Sequence, residues 1–404
     1  MSVLETLRSV ISLRPVELDP VKRRLARAAG IADLRRLARR RLPGGVFDYI
    51  DGAAEDELSA ARNVAAFSDW EFAPRVLRDV GNLEIAGSLF AKPLAFPLVL
   101  APTGFSRIAD PAGELAVARA AERAGLPYTL STMSTRSIEE VAAVSGGRKW
   151  FQVYAWRDRG LVKELLARAD AAGYEAVMLT VDTPVLGRRE RDLRRGFTLP
   201  PKIGLDTLLD GALHPAWTLD LLRSEPITFA NVRGAAVGDG TSAVHLADYI
   251  NSQFDPALSW RDVEWLRGEW RGPVMLKGIQ GVADAREARA AGVDAIALSN
   301  HGGRQLDGSP AILSLVAPVA EALGGELPLL LDGGVRRGSD IVKALCLGAS
   351  ACMAGRAYLY GLGAGGERGV DRALALLREQ FTRTLALLGC PSVGELGPEY
   401  LRKR

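Results

Sequence analysis

Residues 295–308 read AIALSNHGGRQLDG. Ala295-Ile296-Ala297-Leu298 is a short apolar run of the kind that forms a strand buried on both faces of a parallel sheet. It leads into Ser299, Asn300 and His301, then Gly302-Gly303, then Arg304. The glycines let the chain turn tightly and leave room for something flat to approach the backbone. An imidazole is the usual base near neutral pH, and a guanidinium fork matches a carboxylate. Three residues apart at a strand end, they imply proton removal from a substrate held by its carboxylate. A solitary histidine is more often structural, but the glycines and arginine around His301 favour the catalytic reading. It has few rivals, since His214 and His245 are the only other histidines.

Working outward, similar short apolar runs recur. They are LVLAP (98–102), YTLST (128–132), WFQVY (150–154) and AVMLTVD (176–182), then VMLKG (274–278), AIALSN (295–300), LLLDGG (329–334) and CMAGRAY (352–358). Helical patterns such as GELAVARAAERAG and SDIVKALCLG lie between them, and Ser137-Ile138-Glu139-Glu140 has the form of a capping box. Eight alternating strand and helix units indicate an α/β fold, a (β/α)8 TIM barrel. The structural alternative is a doubly wound sheet, but no GxGxxG turn opens a helix early in the chain.

At 404 residues and 48% apolar content the chain suits one large barrel domain spanning 1–404. Residues 1–96 read as an Arg-rich helical lead-in, in which Pro43, Gly44 and Gly45 end the helix of IADLRRLARRRLP. Residues 183–272 interrupt the rhythm with about 90 residues, too long for an ordinary connection, and read as an insertion or lid over the barrel mouth. The excursion includes RRERDLRRGFTLPPKIG, HPAWTLDLL and a Gly-rich part around GAAVGDG; the alternative is a surface insertion without a role. A net charge of +3 argues against nucleic acid as a partner. Cys346, Cys352 and Cys390 have no metal-ligand spacing and are too few for a disulfide framework, so no metal is expected and a reducing compartment fits. No run approaches membrane-spanning length, so a cytoplasmic protein is expected, with the Arg-rich lead-in and the excursion as candidates for peripheral contact with the inner membrane face.

In a barrel, reactive groups gather at the C-terminal strand ends. Those positions hold Thr103 and Gly104, Ser131, Gln152 and Tyr154, Thr180 and Asp182, Lys277, Ser299 with His301 and Arg304, Asp332-Gly333-Gly334 with Arg336, and Gly355-Arg356. Glycine turns followed by Arg336 and Arg356 suit a phosphorylated cofactor, although glycines also simply close tight turns. Neutral Ser131, Gln152 and Thr180 opposite Lys277 suit the polar edge of a flavin, where a cation stabilises charge on reduction. Asp182 is a candidate to hold the His301 ring and steady the imidazolium.

SNHGGRQLDG, LTVDTPVLGRRERDLR, WFQVYAWRDR and LLLDGGVRRGSDIVKALCLGA together resemble the FMN-dependent α-hydroxy-acid dehydrogenase and oxidase family, from about residue 30 to 395. NSQFDPALSWRDVEWLRGEW and TLSTMS look most like its bacterial quinone-linked L-lactate dehydrogenases. The resemblance implies FMN as cofactor and oxidation of an L-2-hydroxy acid, L-lactate first. Electrons would pass to quinone, another carrier or oxygen, in a homotetramer. It makes His301 the base and Asp182 its partner, places Arg304 and Arg189 on the substrate carboxylate, and puts Tyr49 and Tyr154 against the substrate. FMN would meet Thr103, Gly104, Ser131, Gln152, Thr180, Lys277 and Ser299, and its phosphate Gly334, Arg336, Gly355 and Arg356. Met133 stands where many glycolate oxidases have Trp; a wider, adaptable wall there favours lactate or a larger, mandelate-type acid.

Three rivals of other classes remain. Oxidation of a peptide-derived amine on an FMN barrel is opposed by the retained Arg304. A flavin-free phosphate-binding isomerase or lyase would lack bound cofactor. A non-catalytic barrel would be expected to have lost some of His301, Arg304, Asp182 or Lys277.

Overall fold

A computed structural model describes residues 17–195, 205–232 and 252–404. The parts of the chain expected to form the start of the lead-in (1–16) and the Gly-rich GAAVGDG stretch lie outside the described residues, as does His245. Eight parallel strands close into a barrel: β1 Leu98–Leu100, β2 Tyr128–Ser131, β3 Lys149–Tyr154, β4 Ala176–Thr180, β5 Val274–Ile279, β6 Ala295–Ser299, β7 Leu329–Asp332 and β8 Ala351–Ala354. Each pairs with its neighbours in sequence, and β8 pairs with β1. The eight apolar runs therefore all form strands, in the order a (β/α)8 barrel requires. The last run is shorter than CMAGRAY suggests: β8 stops at Ala354, Gly355 turns the chain, and a helix starts at Arg356.

Alternation along each strand sorts its side chains. Ala176 and Met178 of β4, Ala295 and Ala297 of β6, and Ala351 and Met353 of β8 point inward and form a separate buried cluster. Val177, Leu179, Ile296 and Leu298 belong instead to the larger core beneath the outer helices. The N-terminal end of the barrel is plugged by a hairpin, Gly87–Leu89 paired with Lys92–Leu94, whose Leu89 and Leu94 are buried in the inner cluster. Its two loop residues, Phe90 and Ala91, have φ of 55° and 56°, and the Phe90 ring lies 5.4 Å from that of Trp150. Positive φ at both positions matches the twist of a tight hairpin, and burial of the ring offsets what the conformation costs.

The lead-in differs from a purely helical one. Helices Ile31–Arg41, Gly44–Asp51 and Leu58–Ala65 are followed by short strands, of which Trp70–Phe72 pairs antiparallel with Leu401–Lys403. Pro43 and Gly44 end one helix but also open the next. Several lead-in arginines act as latches: Arg35 pairs with Asp51 at 2.6 Å, and Arg41 with Asp110 and Asp220 at 3.2 and 3.0 Å. The capping box forms as expected, with Glu140 N–H donating to Ser137 Oγ and Ser137 N–H to Glu140 Oε2.

The break in rhythm between β4 and β5 is narrower than 183–272. Helix Trp260–Glu269 immediately precedes β5 and buries Val263 and Leu266 in the main core, as a barrel helix should. Before it, helices Glu190–Arg194, Leu205–Leu213 and Pro215–Arg223 run near the mouth. Trp217 Nε1 donates to Ile108 O, the Arg107 guanidinium to the carbonyls of Glu225 and Pro226, and Asn231 Nδ2 to Ser134 Oγ. These bonds pin the excursion to the loops after β1 and β2.

Candidate active site

The inward positions at the C-terminal ends of the strands form a polar ring, because alternation carries the last inward residue of each strand to the mouth. Register places Ser131 beside Gln152, Thr180 beside Lys277, and Ser299 beside Asp332. Ser131 Oγ donates to Gln152 Oε1 (3.0 Å) and Gln152 Nε2 to Thr180 Oγ1 (2.9 Å). Lys277 Nζ lies 3.1 Å from Asp332 Oδ2, and Ser299 Oγ donates to that oxygen at 2.7 Å. Burial opposes the Lys277 charge, yet Asp332 and then Asp182 raise its pKa above the ordinary value, so it stays a cation.

His301 follows the ring. Its φ of 58° is left-handed, and its backbone N–H donates to Ser299 Oγ at 3.0 Å. Its Nδ1 is 3.0 Å from Asp182 Oδ1. Burial alone would raise the Asp182 pKa, but the His301 charge and hydrogen bond bring it below the usual value. An ionised carboxylate only accepts, so Nδ1 carries the proton and Nε2 is the basic nitrogen. Burial lowers the His301 pKa despite Asp182, which keeps the ring neutral and ready to take a proton.

A cavity of about 820 Å³ opens above the ring. It is lined by Tyr49, Thr103, Gly104, Ser131, Met133, Gln152, Tyr154, Thr180, Arg189, Lys277, His301, Arg304, Asp332, Gly334, Arg336, Gly355 and Arg356. All the expected site residues thus converge except Asp182 and Ser299, which stand behind His301 and Lys277 as supports. Arg304 is latched, with Nη1 donating to the carbonyls of Tyr49 and Gly52 at 2.8 and 2.9 Å and the guanidinium over the Tyr49 ring. Among the described residues Arg189 has no partner at its buried Nε. Burial first, then the Arg189 charge, lower the Arg304 pKa; a guanidinium starts high enough to remain protonated. Tyr154 stacks on Trp156, and burial followed by Asp182 raises its pKa, so it remains a phenol.

Arg356 lines the cavity and also carries structural bonds. Its three guanidinium nitrogens donate to Ile50 O, Gly302 O and Gly52 O at 3.2, 2.8 and 2.6 Å, tying the lead-in to the His301 loop. Its backbone remains at the N-terminus of helix Arg356–Leu388, where first-turn amides face an anion naturally. Arg336 lies beside it over the Tyr360 ring, with one nitrogen donating to Val335 O. Gly334 has φ of 80°, and a Cβ there would strike the carbonyl of Asn63; a Cβ on Gly104 would stand 2.9 Å from that of Met133. Neutral partners and a cation at one end, with a helix N-terminus and Arg336 at the other, fit FMN: a polar edge for the ring system and an anion site for the phosphate.

Several lining residues carried no sequence signal. Phe105, Phe229 and Phe254 line the cavity with Met133 as an aromatic wall, and Asp192, from LGRRERDLR, feels the charges of Arg304 and Arg189. The Phe229 ring lies tilted against that of Phe105 at 5.4 Å, and Phe254 lies edge-on to Tyr154 at 5.1 Å. His214 makes a local bond to Asp210 O in the excursion, away from the cavity.

The sequence pattern of the FMN-dependent dehydrogenases matches residues 38–403. A putative L-lactate dehydrogenase of Mycobacterium tuberculosis is 46% identical over 396 residues, covering 98% of this chain and 94% of that protein. The (S)-mandelate dehydrogenase of Pseudomonas putida is 42% identical over 373 residues, covering 92% and 93%. Among solved structures, a monotopic membrane protein, (S)-mandelate dehydrogenase, superposes with a TM-score of 0.90 at 40% identity, covering 94% of this chain and all of that one. The barrel, its polar ring and the extent of these matches agree: this chain belongs to the FMN-dependent dehydrogenase family.

Proposed function

We propose that the protein oxidises an L-2-hydroxy acid to the 2-oxo acid, with L-lactate as the first candidate. The observation that carries this reading is the His301–Asp182 pair beside a cavity that also holds Arg189 and Arg304. The two guanidinium groups bind the carboxylate and orient C2, converting a bimolecular encounter into a positioned one. His301 Nε2 accepts a proton, and Asp182 stabilises the imidazolium that results. Tyr49 and Tyr154 border the substrate, and the Tyr154 phenol donates toward its hydroxyl oxygen. Ser131, Gln152, Thr180 and Lys277 hold the polar edge of FMN, while Arg336 and the backbone at Gly334 and Gly355 hold its phosphate. Bound there, FMN supplies the two-electron acceptor that the oxidation requires.

The aromatic wall of Phe105, Phe229 and Phe254 with Met133 supports a second reading, a mandelate-type acid with a bulky substituent. Electrons then pass to quinone or another carrier, consistent with the dehydrogenase names of the relatives. Among the described residues no helix is long and apolar enough to cross a membrane. Leu209, Leu213, Leu219 and Leu222 are exposed on the excursion helices, and we infer that they rest on a membrane surface.

The test is the visible spectrum of the flavoprotein before and after anaerobic L-lactate or (S)-mandelate. Bleaching by either acid, reversed by a quinone analogue, supports the reading. Rapid recovery in air would make it an oxidase, and no bleaching by any 2-hydroxy acid would overturn it.

A further inference from the structure

The loop after β4 has Asp182 at its start and leads through Gly187 into Arg189, so it carries one member of each functional pair. Thr183 within it is buried, but Val185 and Leu186 are exposed, so packing does little to fix the stretch that leads to Gly187. Every described backbone hydrogen bond of residues 182–187 goes to one side chain, that of Gln305, which is buried beside Arg304. Gln305 Nε2 donates to the carbonyls of Asp182 and Val185, both at 2.9 Å, and its Oε1 accepts the Gly187 N–H at 3.0 Å. Gly187 lets the two loops touch backbone to backbone, since a Cβ there would stand 2.7 Å from the Cα of Gln305.

We propose that Gln305 is a positioning residue that sets the separation of the Arg189 and Arg304 guanidinium groups and aims Asp182 at His301. The inference rests on the reading that these two arginines meet the substrate carboxylate. Like charges on two loops repel, and among the described residues Arg189 Nε has no partner, while Asp182 is held through Oδ1 on His301 with Oδ2 unpartnered. The grip on the loop backbone supplies that restraint before substrate arrives. Only a carboxamide does this at position 305: the site needs two donated hydrogens and one accepting oxygen on a planar group.

The experiment is titration of the oxidised, FMN-loaded enzyme with oxalate, followed by the flavin absorbance, in wild type and Gln305→Met. KM, kcat and their pH profiles follow with whichever 2-hydroxy acid reduces the flavin. The variant should retain FMN, while the oxalate Kd and the substrate KM rise about tenfold, the loss expected when buried hydrogen bonds holding a binding group are removed. The acid limb of kcat should also move, because Asp182 is no longer aimed at His301. Gln305→Glu is the second variant: it keeps the acceptor for Gly187 and loses both donors, and its oxalate defect should shrink at low pH as the carboxyl regains a proton. Kd and KM within twofold of wild type in both variants, with an unmoved acid limb, would overturn the proposal, as would failure of both to fold. A wild-type enzyme that does not bind oxalate would instead sink the carboxylate reading itself and take this inference with it.

Discussion

Gly278 and Asp182 touch across two strands: a Cβ at position 278 would stand 2.8 Å from the Cβ of Asp182. Gly278 also has φ of 115° and sits at the irregularity in β5 between Lys277 and Ile279. The glycine therefore makes room for the carboxylate that pairs with the base. Gly278→Ala should displace Asp182 and lower kcat by about 10²-fold, the usual penalty for a small misplacement of a reacting group. Stopped-flow flavin reduction at matched FMN content checks it, and an unchanged rate would show that the close approach has no catalytic consequence.

The pH dependence follows from His301. Burial lowers its pKa from the ordinary 6.5, so the neutral base persists below that pH. The acid limb of the flavin-reduction rate should therefore be centred below pH 6.5. Asp182 opposes the lowering, so Asp182→Asn should move the acid limb to still lower pH while reducing the plateau rate. A limb centred above 6.5 in wild type would contradict this assignment.

The two pocket arginines should separate in their effects. Arg304 donates to Tyr49 O and Gly52 O, so Arg304→Met should raise KM and also destabilise the fold by about 1–3 kcal/mol. Among the described residues Arg189 Nε holds no such bond, so Arg189→Met should raise KM with a stability change within about 0.5 kcal/mol. Denaturant melts beside steady-state kinetics measure both; equal loss of stability in the two variants would overturn the distinction.

Replacing Leu209, Leu213, Leu219 and Leu222 with serine should reduce sedimentation with anionic lipid vesicles several-fold without altering kcat on a soluble acceptor. Vesicle binding that the four substitutions leave untouched would remove the excursion leucines as the contact.

Met133→Trp narrows the wall opposite Gly104. It should raise the KM for (S)-mandelate far more than that for L-lactate, since a filled volume rejects a phenyl group before a methyl. Parallel KM series on the two acids test this, and equal changes would place the substituent elsewhere.

The barrel was legible because alternation is a local property: the same pattern that predicts the strand at 295–298 also sends Ser299 inward. Lys277, Gln152 and Asp332 could be read as site residues on that ground alone. What the sequence hides is the division between side-chain and backbone donors. Arg356 reads as a phosphate ligand, and its sequence gives no sign that its guanidinium also ties together three carbonyls from two distant segments. Gln305 stood within the most informative motif and still gave no signal, because its partners lie 118 to 123 residues away. Phe229 and Phe254 come from a stretch with no periodicity to interpret. Likewise, the helix at Trp260–Glu269 was hidden within the excursion because only its packing marks it as part of the barrel.

The plugged end of the barrel has a kinetic consequence. Leu89 and Leu94 of the hairpin, with Trp150, Met178 and Met275, fill the interior below the polar ring. Nothing passes through a core packed this way. Acid, oxo product and electron acceptor must therefore share the mouth, arriving and leaving by turns. Steady-state data with varied acid and varied acceptor should give parallel double-reciprocal lines, the signature of two half-reactions that never meet.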